Sequence, residues 1–345
     1  YDGLYVDEYQ DCSIAQHGIV LKLARDLPSR ILGDPLQGIF DFDGQNPVDW
    51  ARDVEGTFQC LGVLEVPHRW IQAGAGDLGT WLQNVRARLE QGEPIDLNLD
   101  RPASVTFTLS NADPQALIQS QGNACRYFQC EVAHTVIAIH RGSQEYKAKC
   151  HRLSRNLGGR FSSIEEVEGK GLFSFIRKLE RAQTSTARLK EVVDFSKRCM
   201  TAVEQNLPAG TIRGEHVNIR ANTRNPEAAR NANDYLAAPS HAAISGFLLA
   251  LKKTVGVEVV RADLFYRALG VLNKAELQPE LSLAEAAEKY HSEFRYKGRP
   301  LGRRRLIGTT LLVKGLEFDH AIVLDASSLS RKELYVALTR GARSL

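Results

Sequence analysis

Gly3-Leu4-Tyr5-Val6-Asp7-Glu8 is an apolar run of strand type that ends on two adjacent carboxylates. Outward from it, Ile14 to Leu27 carries a helical pattern and Arg30-Ile31-Leu32 is a second short apolar run. Val63-Leu64-Glu65-Val66 reads as a third strand, and Leu78 to Glu90 as a helix. Strands alternating with helices predict an α/β fold whose parallel sheet is covered on both faces. Gly92-Glu93-Pro94 breaks the pattern, and the polar stretch from Asn98 to Pro102 sets a boundary near residue 100. The alternation then restarts, with Val105 to Leu109 as a strand, Pro114 to Gln121 as a helix and Thr135 to Ile139 as a strand. From 166 to 300 the pattern is mainly helical: Phe173, Ile176 and Leu179 sit at helical spacing, and Leu281 to Tyr290 is rich in Ala, Glu and Leu. Ala321 to Leu324 is a further buried strand, followed by a helix over Lys332 to Thr339. The expected organisation is one α/β unit at 1–100 and a second at 101–165 and 301–345, split by a helical insertion at 166–300.

A chain of 345 residues has room for two or three domains at about 150 residues each. Its 44 basic against 41 acidic residues leave +3, so overall charge selects no class of partner. Hydrophobic residues at 43% and charged residues at 25% exclude wholesale disorder. No apolar run approaches the roughly 20 residues that span a bilayer, and no basic-then-apolar leader opens the chain, so neither a membrane partner nor secretion is expected. The cysteines at 12, 60, 125, 130, 150 and 199 are scattered, which reads as reduced thiols in a cytoplasmic protein. Cys125 and Cys130 lie near His134 and His140, but at a spacing that does not suit a zinc knuckle. The chain opens at Tyr1, in mid-strand and without an initiator Met, and is expected to be part of something longer.

Two carboxylates at a strand end suit Mg²⁺ beside a nucleoside triphosphate. Asp7 would hold the metal through its water shell, and Glu8 would activate the attacking water; a solvated loop is the competing reading. Ile31-Leu32-Gly33-Asp34-Pro35-Leu36-Gln37 is again a strand running into a tight polar turn, and the Gln37 amide can both donate to and accept from a terminal phosphate. Phe40 and Phe42 follow at once, as stackers for unpaired bases or as a core pair. Further segments are Val66-Pro67-His68-Arg69-Trp70, Thr309 to Asp319 with Lys314-Gly315-Leu316-Glu317-Phe318 inside it, and Leu334 to Arg340.

In this order the five segments resemble those of superfamily 1 DNA helicases of the UvrD/Rep type. Val6-Asp7-Glu8-Tyr9-Gln10-Asp11 is similar to that family's DExxD box, and Gly33 to Phe40 to its GDxxQxIY segment. His68-Arg69 stands at its Tyr-Arg segment, Lys314 to Phe318 at KGLEF, and Tyr335-Val336-Ala337-Leu338-Thr339-Arg340 at YVALTR. The resemblance implies two RecA-like P-loop NTPase domains, the first incomplete, with the insertion in the second. It implies ATP and Mg²⁺ as ligands, with Asp7, Glu8, Gln37, Arg69 and Arg340 catalytic, and Gly315 and Glu317 also at the nucleotide. Arg69 and Arg340 would be arginine fingers, and Glu317 would bond the ribose. Phe40, Phe42, Thr310 and Lys314 would meet nucleic acid. The implied activity is ATP-driven 3′-to-5′ travel on single-stranded DNA with separation of duplex DNA.

The sequence also departs from that pattern. It holds no G-x-x-x-x-G-K-[ST] loop, so this polypeptide alone is expected neither to bind ATP well nor to hydrolyse it. Truncation is the expected cause; a non-catalytic nucleic-acid-binding or regulatory relic is the alternative. Leu311 replaces a DNA-touching histidine and His68 the commoner tyrosine. Gly74-Ala75-Gly76-Asp77-Leu78-Gly79 fits G-x-G-x-x-G but lies beyond a strand end, and reads as the cap of the helix carrying Trp81 and Leu82. The basic run Arg295, Lys297, Arg299, Arg303, Arg304, Arg305 suits either DNA phosphates or a solvated surface.

Overall fold

The computed structural model describes residues 2–40, 46–99, 101–110, 113–296 and 303–345. In chain order its main elements are β1 (Leu4–Val6), α1 (Ile14–Leu23), β2 (Ser29–Ile31), α2 (His68–Gln72), α3 (Gly76–Gln91), α4 (Pro114–Tyr127), β3 (Val136–His140) and α5 (Gln144–Asn156). There follow β4 (Ser162–Ser163), α6 (Lys170–Arg181), α7 (Ser185–Cys199), α8 (Ala209–Ile212), α9 (Pro226–Ala237), α10 (His241–Lys253), α11 (Ala262–Leu277) and α12 (Leu283–Tyr296). The last elements are β5 (Arg305–Thr309), α13 (Thr310–Val313), β6 (Phe318–Val323), α14 (Arg331–Leu338) and β7 (Gly341–Ser344). Five strands make one all-parallel sheet in the order β4-β5-β3-β6-β7, so the chain is an α/β protein. No helix among the described residues is long and apolar enough to cross a membrane. Cys12, Cys60, Cys125, Cys150 and Cys199 are free thiols.

The chain divides into two compact units, 1–121 with 130–146 and 309–345, and 122–129 with 147–308. In the first, β1 and β2 run parallel with Leu4 opposite Ser29 and Val6 opposite Ile31. Asp7-Glu8 and the Gly33 turn therefore leave the same end of neighbouring strands. Tyr9, Val20, Val48 and Val54 close a small core beneath them. A second core uses one face of α3, where Leu78, Trp81, Leu82, Val85 and Leu89 recur at helical spacing and pack with Leu36, Tyr335 and Leu338. All five residues of β3 are buried, as a strand covered on both faces requires, and β3 pairs with β6 (Val136 opposite His320), which pairs with β7.

Two expected strands form no ladder. Val63–Val66 has no strand partner among the described residues, and Leu61, Val63, Leu64 and Val66 are exposed. Apolar, β-branched composition is satisfied by a strand only when a backbone edge is there to pair with. Around Val105–Leu109 the backbone bonds are Val105 N–H to Pro102 O (3.0 Å), Thr106 N–H to Leu345 O and Leu345 N–H to Ser104 O (both 2.9 Å), too few to fix a strand. Helix α1 also stops at Leu23, short of the expected Leu27. The glycine-rich run enters α3 at Gly76.

The second unit is built on helices. Leu172, Phe175, Ile176 and Leu179 bury one face of α6, where Phe175 stacks on Phe195 of α7 at 3.9 Å. Phe247, Leu251, Phe265 and Leu272 of α10 and α11 complete that core. Glu165, after β4, takes two bonds of 2.6 Å from Arg261 at the head of α11. Burial works against that carboxylate, yet the Arg261 guanidinium holds it below its ordinary range.

Candidate functional site

The five segments that carry the resemblance belong to the first unit, and each contributes to one cleft. Glu8 follows β1 in the left-handed region, at φ 52° and ψ 39°, a conformation that costs a non-glycine residue about 1–2 kcal/mol. Its neighbours hold it there. Tyr9 is fully buried, with its N–H on Leu32 O (3.0 Å) and its hydroxyl against His17 Nδ1 (2.7 Å). The Glu8 N–H itself donates to Asp7 Oδ1 at 2.8 Å, and Asp7 is exposed beside it.

Gln10 ties the two loops together. Its Nε2 donates to Glu8 Oε2 at 2.5 Å, and its Oε1 accepts from the Asp34 N–H at 2.9 Å. The approach is close: a Cβ at Gly33 would lie 2.8 Å from Gln10 Oε1 and 2.7 Å from the Trp50 ring, so any side chain there would push one of them away. Asp34 then caps the short turn Pro35–Gln37, taking the Leu36 N–H at 3.1 Å and the Gln37 side-chain amide at 3.1 Å. Arg86 of α3 bonds the same carboxylate at 2.7 Å and the Tyr335 hydroxyl at 2.9 Å. Burial, the largest influence on Arg86, opposes its charge, but Asp34 outweighs it and the guanidinium stays above its ordinary pKa.

From the other side come α2 and α14. Arg69 meets Glu317 Oε2 at 2.9 Å and donates to Thr339 O at 2.9 Å, while the Trp70 indole N–H donates to Gly341 O at 3.0 Å. Arg340 is almost wholly buried, donating to Val336 O, Leu316 O and Thr339 Oγ1 at 2.8–2.9 Å. Burial first, and the nearby Arg69 charge second, push its pKa down to about 10. Glu8, Gln37, His68, Arg69, Gly315, Tyr335 and Arg340 all line an open cleft of about 310 Å³. Both guanidiniums border that space, and Arg69 already shares its charge with Glu317.

Other expected site residues lie elsewhere in the unit. Glu317 is held on Arg69. Thr310 is fully buried, with its hydroxyl on Glu333 at 3.2 Å. The Lys314 side chain is 3% exposed; its ammonium binds both oxygens of Asp11, lies 3.7 Å from Glu8 and sits 4.8 Å over the Phe40 ring. Burial is the main cause that raises the Asp11 pKa, against the pull of Lys314. Phe42 lies outside the described residues, as do the side chains of Arg295, Lys297 and Arg299. Arg305, in the second unit, donates to Phe128 O at 3.3 Å. Among the described residues, no three His, Cys, Asp or Glu side chains gather as a metal site.

Sequence reasoning passed over Gln10, Asp11 and Arg86 as working residues. Gln10 and Asp11 stand inside the DExxD-like box, so their position was a signal; Arg86, on the amphipathic helix α3, carried none. The chain matches no family model and no curated protein.

Proposed function

We propose that the cleft receives the terminal phosphates of ATP and that the chain carries the carboxylates and arginines of a UvrD/Rep-type, ATP-driven DNA translocase and helicase with RecA-like halves; without a phosphate-cradling loop, these 345 residues alone are expected to bind ATP weakly and not to turn it over. The observation that supports this reading is the convergence of Glu8, Gln37, Arg69 and Arg340, drawn from both ends of the sequence, on one polar cleft. Glu8 would accept the proton of the attacking water as its oxygen bonds the terminal phosphorus and the bridging oxygen departs with the diphosphate. Arg69 and Arg340 would stabilise the charge on the transferring group, and Gln37 would orient against it. The oxygen-only donors Asp7 and Glu8 suit Mg²⁺, which takes such ligands and keeps much of its water shell; when bound it would neutralise phosphate charge. Closure of the cleft about the nucleotide would drive steps along single-stranded DNA and part duplex DNA, gripped by Phe40 and Phe42 through stacking.

A second reading is favoured by the sequence itself. The 345 residues hold no G-x-x-x-x-G-K-[ST] loop, so a module that binds nucleic acid without turnover fits them too. Titration with Mg²⁺ and a slowly hydrolysed ATP analogue, followed through Trp70 fluorescence, separates the two. The translocase reading expects a weak but saturable change at millimolar nucleotide that Arg340→Ala weakens further and Glu8→Gln leaves intact. Binding of single-stranded DNA with no response to nucleotide would support the non-catalytic module instead.

A further inference from the structure

Behind the cleft, and resting on the nucleotide reading above, a run of bonds joins two of its walls. The Arg86 guanidinium reaches Asp34 Oδ2 (2.7 Å), the Tyr335 hydroxyl (2.9 Å) and Glu90 (3.0 Å), and lies over the Tyr335 ring at 5.3 Å. Asp34 Oδ2 is also the acceptor that fixes the Gln37 amide at 3.1 Å. Tyr335 stands one helical turn before Thr339, whose hydroxyl donates to Tyr335 O at 2.9 Å and accepts from Arg340 Nη2 at 2.8 Å. The path therefore runs Gln37–Asp34–Arg86–Tyr335–Thr339–Arg340 without a break, although Arg86 itself is not in the cleft wall.

We propose that Arg86 is a positioning residue that locks the Gln37 turn to the helix carrying Arg340, so that sensing of the terminal phosphate and placement of the guanidinium change together. The geometry supports this over simple surface pairing. One guanidinium nitrogen serves both acceptors, so neither can move without the other losing its partner. A guanidinium also holds an aromatic face and a carboxylate at once, which an ammonium does less well.

The test compares wild type with Arg86→Met and, in case that variant does not fold, Tyr335→Phe, which keeps the ring and removes the hydroxyl acceptor. Amide hydrogen exchange on the ligand-free chain is read at residues 36–38 and 335–340. The relay expects both segments to exchange together, about tenfold faster in Arg86→Met and about threefold faster in Tyr335→Phe, while residues 78–85 of α3 hold their rate. A response in one segment alone, or in neither, overturns it. The second measurement is the affinity ratio between an ATP analogue and ADP, read through Trp70. Arg86→Met should lower that ratio at least tenfold with ADP affinity within twofold of wild type; an unchanged ratio overturns the relay and leaves the nucleotide reading standing. Wild type that binds neither nucleotide overturns the nucleotide reading, and the exchange result alone then decides whether the relay exists.

Discussion

Replacing Lys314 with Met keeps the length of the side chain and removes a cation that is 3% exposed. What it leaves is Asp11, whose side chain is 19% exposed and whose charge Lys314 neutralises through both carboxylate oxygens. Removing one member of a buried ion pair costs about 3–5 kcal/mol. Residual access of Asp11 to water puts this case near 3 kcal/mol, part of it the loss of the ammonium from the Phe40 ring. All three tryptophans, Trp50, Trp70 and Trp81, belong to the first unit, so urea unfolding read by tryptophan fluorescence reports this unit and not the helical one. The double variant Lys314→Met/Asp11→Asn should recover at least about 1.5 kcal/mol, because the orphaned charge is gone. The pH dependence has a definite sign. Asp11 already titrates above its ordinary range, and without Lys314 it rises further, so the deficit of the single variant shrinks as pH falls through that raised pKa. A loss below 1 kcal/mol, or a double variant no more stable than the single one, would refute the reasoning.

The second unit should behave independently in other measurements. Phe175→Ala, which empties a stacked ring from the core of α6 and α7, should cost about 3–5 kcal/mol by urea unfolding followed at 222 nm. Gly214→Ala should cost about 2–4 kcal/mol in the same assay, since φ is +81° and a Cβ would lie 2.2 Å from Thr186 O. His151 is pushed down to about 4, by burial first and Arg261 second. A base depressed in the folded state stabilises above its ordinary 6.5 and loses that contribution as pH falls towards 4, so the 222 nm melting temperature should drop across that window; His151→Gln should flatten the drop. Asp319 is held at about 2 although burial opposes it, because Thr135 and Arg343 bond the carboxylate. Its contribution, about 1 kcal/mol after allowance for solvent screening, is present above 3.8 and lost between pH 4 and 2, and tryptophan fluorescence should show it.

The features legible in the sequence were those written in adjacent residues. An apolar run followed at once by Asp7-Glu8, and another by Gly33-Asp34, fix strand ends whatever the rest of the chain does. The periodicity of α3 and α6 likewise needs no partner to be recognised. What escaped depended on pairings across distance. Val63–Val66 has strand composition, and no local property reveals whether an edge lies beside it. Lys314 in a Gly-flanked loop has the composition of a surface contact, yet Asp11, 303 positions away, draws it inside. Arg86 gains its place only through partners 52 and 249 positions distant.

The bare run Leu61-Gly62-Val63-Leu64-Glu65-Val66 has a consequence for the polypeptide in solution. Six residues with one charge and four uncovered apolar side chains have the composition that favours strand stacking between molecules. Turbidity should therefore climb with protein concentration, and Leu64→Lys, at a side chain that is 90% exposed, should keep the preparation clear.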